Sequence, residues 1–284
     1  MTPLEVLDPQ TRRKARKARF PEWVEPMKAT LVHESFSDPD WIFEPKLDGE
    51  RCLAYVRRGA VTMMSRNKKS IGHSYPEIVG ALSGAAFDVV VDGEVVAEKD
   101  GIASFGLLQQ RMHVQAPTKE LLERVPVVYN VFDIVYCDGS DLSQVPLLAR
   151  KKVLRKTLRP RKAVRLVKHR VRDGDDYFEE MCSTPGQEGV IAKRAESPYQ
   201  HSRSKDWLKF KCSLEQEFVI GGFTDPQGSR SGFGALLVGY YEGRDLRYAG
   251  KVGTGFNQQL LRILSEELAG LERPDPPFAD RGIG

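Results

Sequence analysis

The sequence predicts an α+β protein in two parts, and three observations carry that expectation. Short apolar strands with polar turns alternate with helical patterns over most of the chain. The uninterrupted apolar run from Val127 to Cys137 is long enough for a buried central strand. After about Leu214 the composition becomes glycine-rich and strand-dominated. With 284 residues, 40% of them hydrophobic, the chain can bury a sizeable core in two domains or one large one.

The first element is a basic arm, residues 1–19, in which Arg12 to Arg19 carries six cations before Phe20-Pro21-Glu22-Trp23. No apolar stretch there suits a signal peptide or a membrane span, so an intracellular, cytoplasmic protein without membrane contact is expected. Next, Glu44-Pro45-Lys46-Leu47-Asp48-Gly49-Glu50-Arg51 sets one lysine between carboxylates and an arginine. An ammonium group is no nucleophile until nearby positive charge, a metal or burial removes its proton, and this setting suits a lysine that attacks phosphorus. The octapeptide also reads as an ordinary surface ion pair.

Cys52 to Val56 and Val61 to Ser65, joined by Arg57-Arg58-Gly59-Ala60, read as a β-hairpin that leaves Lys46 where a strand enters a loop. Ser65-Arg66-Asn67 closes it, either with a phosphate-binding arginine or as a plain polar turn. A second hairpin is expected from Phe87 through Ala97 with Asp92-Gly93 inside it. There Asp92-Gly93-Glu94 interrupts a valine run, where a carboxylate is costly without a partner such as a ribose hydroxyl. An Asp-Gly turn with a solvated glutamate is the alternative. Helical patterns lie near Ser104 to Met112, Thr118 to Val125, Leu147 to Leu158 and Asp175 to Cys182.

Within the central strand, Phe132-Asp133 offers either a core aromatic or a ring for stacking on a purine. Arg150 to Arg172 carries twelve cations and no acid, so with the N-terminal run eighteen of 43 cations fall in two segments. Such clustering suits a phosphate backbone, and a solvated helix face with a disordered arm accounts for it equally. Glu188 opens the strand Gly189 to Lys193, as a ligand for a divalent cation or simply as a strand-initiating residue. In the strand Trp207 to Cys212, Lys209 and Lys211 share one face and repel unless an anion or solvent separates them. Strands at Glu217 to Phe223, Ala235 to Tyr241 and Leu246 to Val252 and a helix from Asn257 to Leu271 follow. The four cysteines are far apart with no Cys-x-x-Cys pair, which predicts buried thiols rather than zinc ligands or disulfides.

In order, Lys46-x-Asp48-Gly49-x-Arg51, Ser65-Arg66-Asn67, Asp92-Gly93-Glu94, Phe132-Asp133, Glu188-Gly189 and Lys209-x-Lys211 resemble the motifs of the covalent nucleotidyltransferases. The chain is similar to ATP-dependent DNA ligases, and within them to the ligase domain of the bacterial end-joining ligase D. Phe20-Pro21-x-x-Val24-x-Pro26-Met27, Gly221-Gly222-Phe223 and Gly250-Lys251-Val252-Gly253-Thr254-Gly255-Phe256 add to the likeness. The resemblance implies an α+β nucleotidyltransferase (adenylation) domain of antiparallel sheets and helices over residues 20–213, then an OB-fold domain over 214–284.

It also implies a reaction. Lys46, with Asp48 beside it as a further catalytic residue, takes AMP from ATP and expels pyrophosphate. The AMP passes to the 5′-phosphate of a nick, and the 3′-hydroxyl then displaces it. By the same resemblance Glu44 meets the adenine amino group, Arg51 and Glu94 the ribose, and Phe132 the base. Glu188 holds Mg2+ or Mn2+, Lys209 and Lys211 hold the α-phosphate, and Arg66 and Arg203 hold DNA or nucleotide phosphates. The implied partners are nicked or broken duplex DNA, a Ku-like end-binding protein, and polymerase or nuclease chains. An RNA ligase, an RNA-capping guanylyltransferase and a non-catalytic nick-binding or end-binding module share parts of this pattern.

Set against the family pattern, the sequence to Gly284 lacks two strands of a five-stranded OB barrel and a final arginine and lysine motif that orients pyrophosphate. The expected form is therefore a monomer with a C-terminally shortened OB domain, unless another chain completes it. This predicts weakened self-adenylylation from free ATP with sealing of an already adenylylated nick less affected. Rates of the two steps measured beside a full-length relative check it, and equal losses overturn it.

Overall fold

The computed structural model describes residues 2–99, 101–212, 218–226, 228 and 230–280. The chain divides into two compact units, Met1–Cys212 and Ser213–Gly284. In the first, the strands are β1 (Arg16–Lys17), β2 (Lys28–Leu31), β3 (Asp38–Pro45), β4 (Glu50–Arg57), β5 (Ala60–Ser65), β6 (Val89–Lys99), β7 (Ile102–Ala103), β8 (Val127–Cys137), β9 (Ser140–Asp141), β10 (Val164–Leu166), β11 (Arg170–Arg172), β12 (Gly189–Arg194) and β13 (Arg203–Lys211). The helices are α1 (Pro9–Arg12), α2 (Pro76–Leu82), α3 (Phe105–Gln109), α4 (Lys119–Arg124), α5 (Leu147–Thr157) and α6 (Gly174–Ser183).

One sheet runs β1-β9-β8-β6-β4-β5, with β10 also on β8 and β7 on β6; the other runs β11-β3-β12-β13-β2. Every residue of β8 is buried, as its continuous apolar run requires of a strand covered on both faces. On one side Val131 and Ile134 join Val153 and Leu154 of α5 in the main core. On the other, Phe132, Val135 and Tyr136 pack with Trp207, Tyr199 and Met27. Irregularities in the pairing of β8 with β6 interrupt the strict period of two, so Val131 and Ile134, three apart, share one core and adjacent Val135 and Tyr136 share the other.

Three expectations are corrected. The Asp92-Gly93 pair makes no turn: β6 continues through it, paired to β4 on one side and β8 on the other. Gly93 is needed for closeness, because a Cβ there would lie 2.6 Å from the Tyr129 ring and from the Asn130 carbonyl oxygen. Cys182 and Cys212 are joined in a disulfide, while Cys52 and Cys137 are free and buried. Their sequence separation of 30 carries no recognisable spacing, and the fold brings the end of α6 to the end of β13. Finally, the basic runs are neither a disordered arm nor a uniformly solvated helix face. α1 and β1 order the arm, β1 pairing with β9, and on α5 both Arg150 and Lys151 are buried.

Arg150 is fully buried against Asp133, donating from Nε to Oδ1 and from Nη2 to Oδ2, both at 2.8 Å. Its Nη1 donates to the carbonyls of Val145 (2.6 Å) and Ser197 (3.0 Å). Burial pushes the Asp133 carboxyl up, but the charge and hydrogen bonds of Arg150 bring it below the usual value.

In the second unit, β14 (Val219–Phe223), β15 (Leu236–Glu242) and β16 (Asp245–Val252) form an antiparallel meander followed by α7 (Gln258–Ala269). The expected strand start at Glu217 lies outside the described residues. The Asn257 carboxamide caps α7 by accepting from the Leu260 amide at 2.8 Å, and Leu261 joins Phe233 and Leu236 in a small core. Among the described residues no helix is long and apolar enough to cross a membrane.

Arg150→Met is expected to cost about 3–5 kcal/mol by leaving the Asp133 charge buried without its partner. Urea unfolding measures it, and adding Asp133→Leu is expected to restore much of the loss.

Candidate active site

A cavity of about 440 Å3 opens between the two sheets of the first unit. Arg51 on β4, Glu94 on β6 and Phe132 on β8 line it from one sheet. Glu44 and Pro45 on β3, Ile191 and Lys193 on β12, and Arg203, Trp207 and Lys209 on β13 line it from the other. Lys46 follows β3 directly, and its amide donates to the Gly189 carbonyl at 2.8 Å, which fixes the loop against β12. Arg66 and Asn67 from the turn after β5 complete the wall.

At the enclosed end, Glu44 is buried and paired with Lys193 at 2.7 Å and with Lys151. Burial raises the Glu44 carboxyl, and the two ammonium charges overcome it and hold the group ionised, below its ordinary value. Lys193 lies 4.2 Å from the Phe132 ring centroid and 4.0 Å from that of Trp207. Burial brings its pKa down to about 8, with Lys151 adding to the fall and Glu44 opposing it. The Arg51 guanidinium lies 4.5 Å from the Phe132 centroid and donates to both Asp92 oxygens, at 2.6 and 2.7 Å. Tyr199 donates to Asp92 Oδ2 at 2.6 Å, so the carboxylate expected to need a partner has two inside the protein.

The mouth is different. The Lys46 side chain is 16% exposed and its ammonium pairs with Glu188. Burial lowers the Lys46 pKa, Lys211 and Lys209 lower it further, and Asp48 and Glu94 oppose them. Lys209 is also lowered, by burial and then by Lys211, Arg203 and Arg66. Lys209 forms no ion pair with any described residue. Burial raises the Glu94 carboxyl to about 8 with help from Asp92, against the pull of Arg51. Burial thus favours the form of Glu94 that can donate as well as accept a hydrogen bond.

Of the residues singled out from sequence, Glu44, Lys46, Arg51, Arg66, Glu94, Phe132, Arg203 and Lys209 line this cavity. Glu188 reaches it through Lys46. Asp48 and exposed Lys211 are outside the lining and act on Lys46 through their charge. Lys193 and Trp207 were missed. The signal for Lys193 was present, since it alternates with Ile191 on the face of β12 that meets the cavity.

This cleft between two largely antiparallel sheets, with a lysine at its mouth and a buried closed end, fits the nucleotidyltransferases. The family described as ATP dependent DNA ligase domain matches residues 24–211, and that described as ATP dependent DNA ligase C terminal region matches 229–282. The chain belongs to the ATP-dependent DNA ligase family and carries its catalytic and C-terminal OB-fold regions.

The multifunctional non-homologous end joining protein LigD of Pseudomonas aeruginosa is 37% identical over 270 residues, 93% of this chain and 31% of that protein. A DNA ligase of Pyrobaculum islandicum is 33% identical over 80% of this chain and 42% of its own length. The chain thus spans about a third of the LigD protein it matches. A structure of mycobacterial DNA ligase D complexed with ATP and MES superposes with a TM-score of 0.58 at 32% identity, covering 91% of this chain and 82% of that one.

Were Lys46 to attack as a neutral amine, single-turnover adenylylation would rise with pH and level off below the ordinary lysine pKa of about 10.4. Removing the like charge in Lys211→Met raises the Lys46 pKa, so the profile is expected to move to higher pH. A stopped-assay pH series checks it, and an unmoved midpoint overturns it.

Proposed function

We propose that this chain seals breaks in duplex DNA through a lysyl-AMP on Lys46, as a ligase of DNA repair and end joining. The observation that carries this reading is the charge division of the cavity: paired charges at the closed end, unpaired cations around Lys46 at the mouth. A nucleoside triphosphate fits that division. Its base lies against Phe132 and Trp207, and its phosphates meet Lys209, Arg66 and Arg203. Family membership supports ATP as the nucleotide, and the end-joining name of the LigD relatives supports the repair role. A Ku-like end-binding protein and separate polymerase or nuclease chains are the proposed partners.

In the first step neutral Lys46 forms a phosphorus–nitrogen bond with the α-phosphorus while the bond to pyrophosphate breaks, and the amine proton is released. The 5′-phosphate oxygen of the nick then takes the AMP from Lys46. The 3′-hydroxyl displaces AMP to form the phosphodiester. Positioning and charge neutralisation supply most of the acceleration in such displacements.

No group of three or more potential metal ligands occurs among the described residues. Mg2+ is commonly held by one or two carboxylates together with substrate phosphates, and Glu188, paired with Lys46 at the mouth, would be the carboxylate that holds it. Bound there, the ion would neutralise phosphate oxygens and compete with Lys46 for Glu188. Without Glu188 beside it, the Lys46 ammonium would stand in the field of Lys211 and Lys209, which favours the neutral amine.

Lys46→Arg keeps the charge but cannot give up its proton, so the AMP adduct is expected to vanish. Mass spectrometry after incubation with ATP and magnesium reads the adduct, and added nicked DNA is expected to discharge it. An adduct on the arginine protein overturns the assignment of Lys46. Nick binding without any adduct in the natural chain supports a binding module instead.

A further inference from the structure

The two basic runs are not explained by the cavity, and the fold brings the first run and the Arg150 to Arg165 part of the second to one edge of β8, towards its two ends. β6 occupies one edge of β8, so β9, pairing at Tyr136 and Cys137, and β10, pairing from Tyr129 to Val131, both lie along the opposite edge. β1 of the basic arm adds to β9. Leu4, Leu7 and Ala15 of the arm share a core with Val153, Leu154 and Leu158 of the α5 region, so the arm is packed beside that helix.

The structure also sorts the cations. Arg150 and Lys151 point inward to Asp133 and Glu44, and Arg165 is taken by Glu98 at 2.8 Å. Lys152, Arg155, Lys156, Arg159, Arg161 and Lys162 are exposed and form no ion pair among the described residues. All six basic residues from Arg12 to Arg19 are exposed as well. The acids nearby are Glu5, Asp8, Asp138 and Asp141; Asp8 caps α1 through the Thr11 amide, and Asp141 accepts from the Ser143 amide. A recess of about 300 Å3 lies at the end of α5, lined by Lys156, Arg159 and Arg161 against Gly84 and Ala85. Cations in the last turn of α5 also favour its C-terminal dipole, which accounts for Arg155 and Lys156 but not for Arg159, Arg161, Lys162 or the arm.

We propose that this edge, formed by the end of α5, the turn into β10 and the ordered arm, is a second duplex-DNA surface. It holds phosphates on the far side of β8 from β4 and β6. The favoured ligand is duplex DNA because a row of unpaired, flexible cations without apolar relief suits a regular polyanion read by charge alone. The choice of DNA rests on the ligase reading above, and the two fail separately: adduct formation needs no DNA, and this surface needs no adduct.

The test is anisotropy of the full chain on an unbroken labelled duplex from about 50 to 200 mM salt, where each phosphate contact contributes about 0.9 to the log–log slope. Two variants are compared with the natural chain: Lys156→Ala/Arg159→Ala/Arg161→Ala/Lys162→Ala, and Arg13→Ala/Lys14→Ala/Arg16→Ala/Lys17→Ala. Each is expected to make the slope shallower by about 2–4, with AMP adduct formation unchanged. An unchanged slope in both overturns the proposal. So does polyglutamate competing for the surface while DNA affinity stays at the natural value. If a fourfold variant also loses adduct formation, Arg159→Ala and Lys162→Ala alone decide, each expected to lower the slope by about 0.9.

Discussion

Glu44 lies at the centre of the first unit, enclosed by the ammonium groups of Lys151 and Lys193. Removing three charges from water costs several kcal/mol per ion, so such a cluster persists only where each member is held by others. Lys151 comes from α5 and also donates to the Phe132 carbonyl at 3.0 Å, so one ammonium joins the carboxylate of one sheet to the backbone of the other. Lys193 comes from the strand beside Glu44 and occupies the space between two aromatic rings. The cluster thus ties the two sheets together at the closed end of the cavity.

The cavity therefore contains two electrostatic regimes within one volume. At the closed end each charge has a partner: Glu44 with its lysines, Arg51 with Asp92, Arg150 with Asp133 behind them. Burial there makes the pairs strong and their rearrangement costly. At the mouth the cations repel one another, and the carboxyl groups of Glu188, Asp48 and Glu94 offset them at Lys46. A ligand with an apolar aromatic end and an anionic end matches both regimes, and the repulsion is relieved only when the anion is present.

Much of this was legible in sequence because polar residues inside apolar strands are conspicuous. Glu94 and Lys209 stood out in that way, Phe132 was singled out through the family resemblance, and all three line the cavity. What was not legible depended on contacts distant in sequence. The local preference of Asp92-Gly93 for a turn was overridden by strand pairing on both sides and by Arg51 and Tyr199. Arg150 and Lys151 resembled the exposed cations that follow them, and only their partners Asp133 and Glu44 distinguish them. The second unit's strands and helix were visible as alternation and amphipathic spacing, while the Cys182–Cys212 pairing had no local signature.

Two glycines close to Lys46 sit where no side chain fits. A Cβ on Gly49 would lie 2.1 Å from the Val95 carbonyl oxygen, and one on Gly189, at φ +132°, would lie 2.1 Å from that of Phe210. The backbone that follows Lys46 and the backbone to which its amide is bonded are thus in contact with neighbouring strands, without slack. A side chain at either position would have to push a neighbouring strand aside, and with it the backbone that carries Lys46.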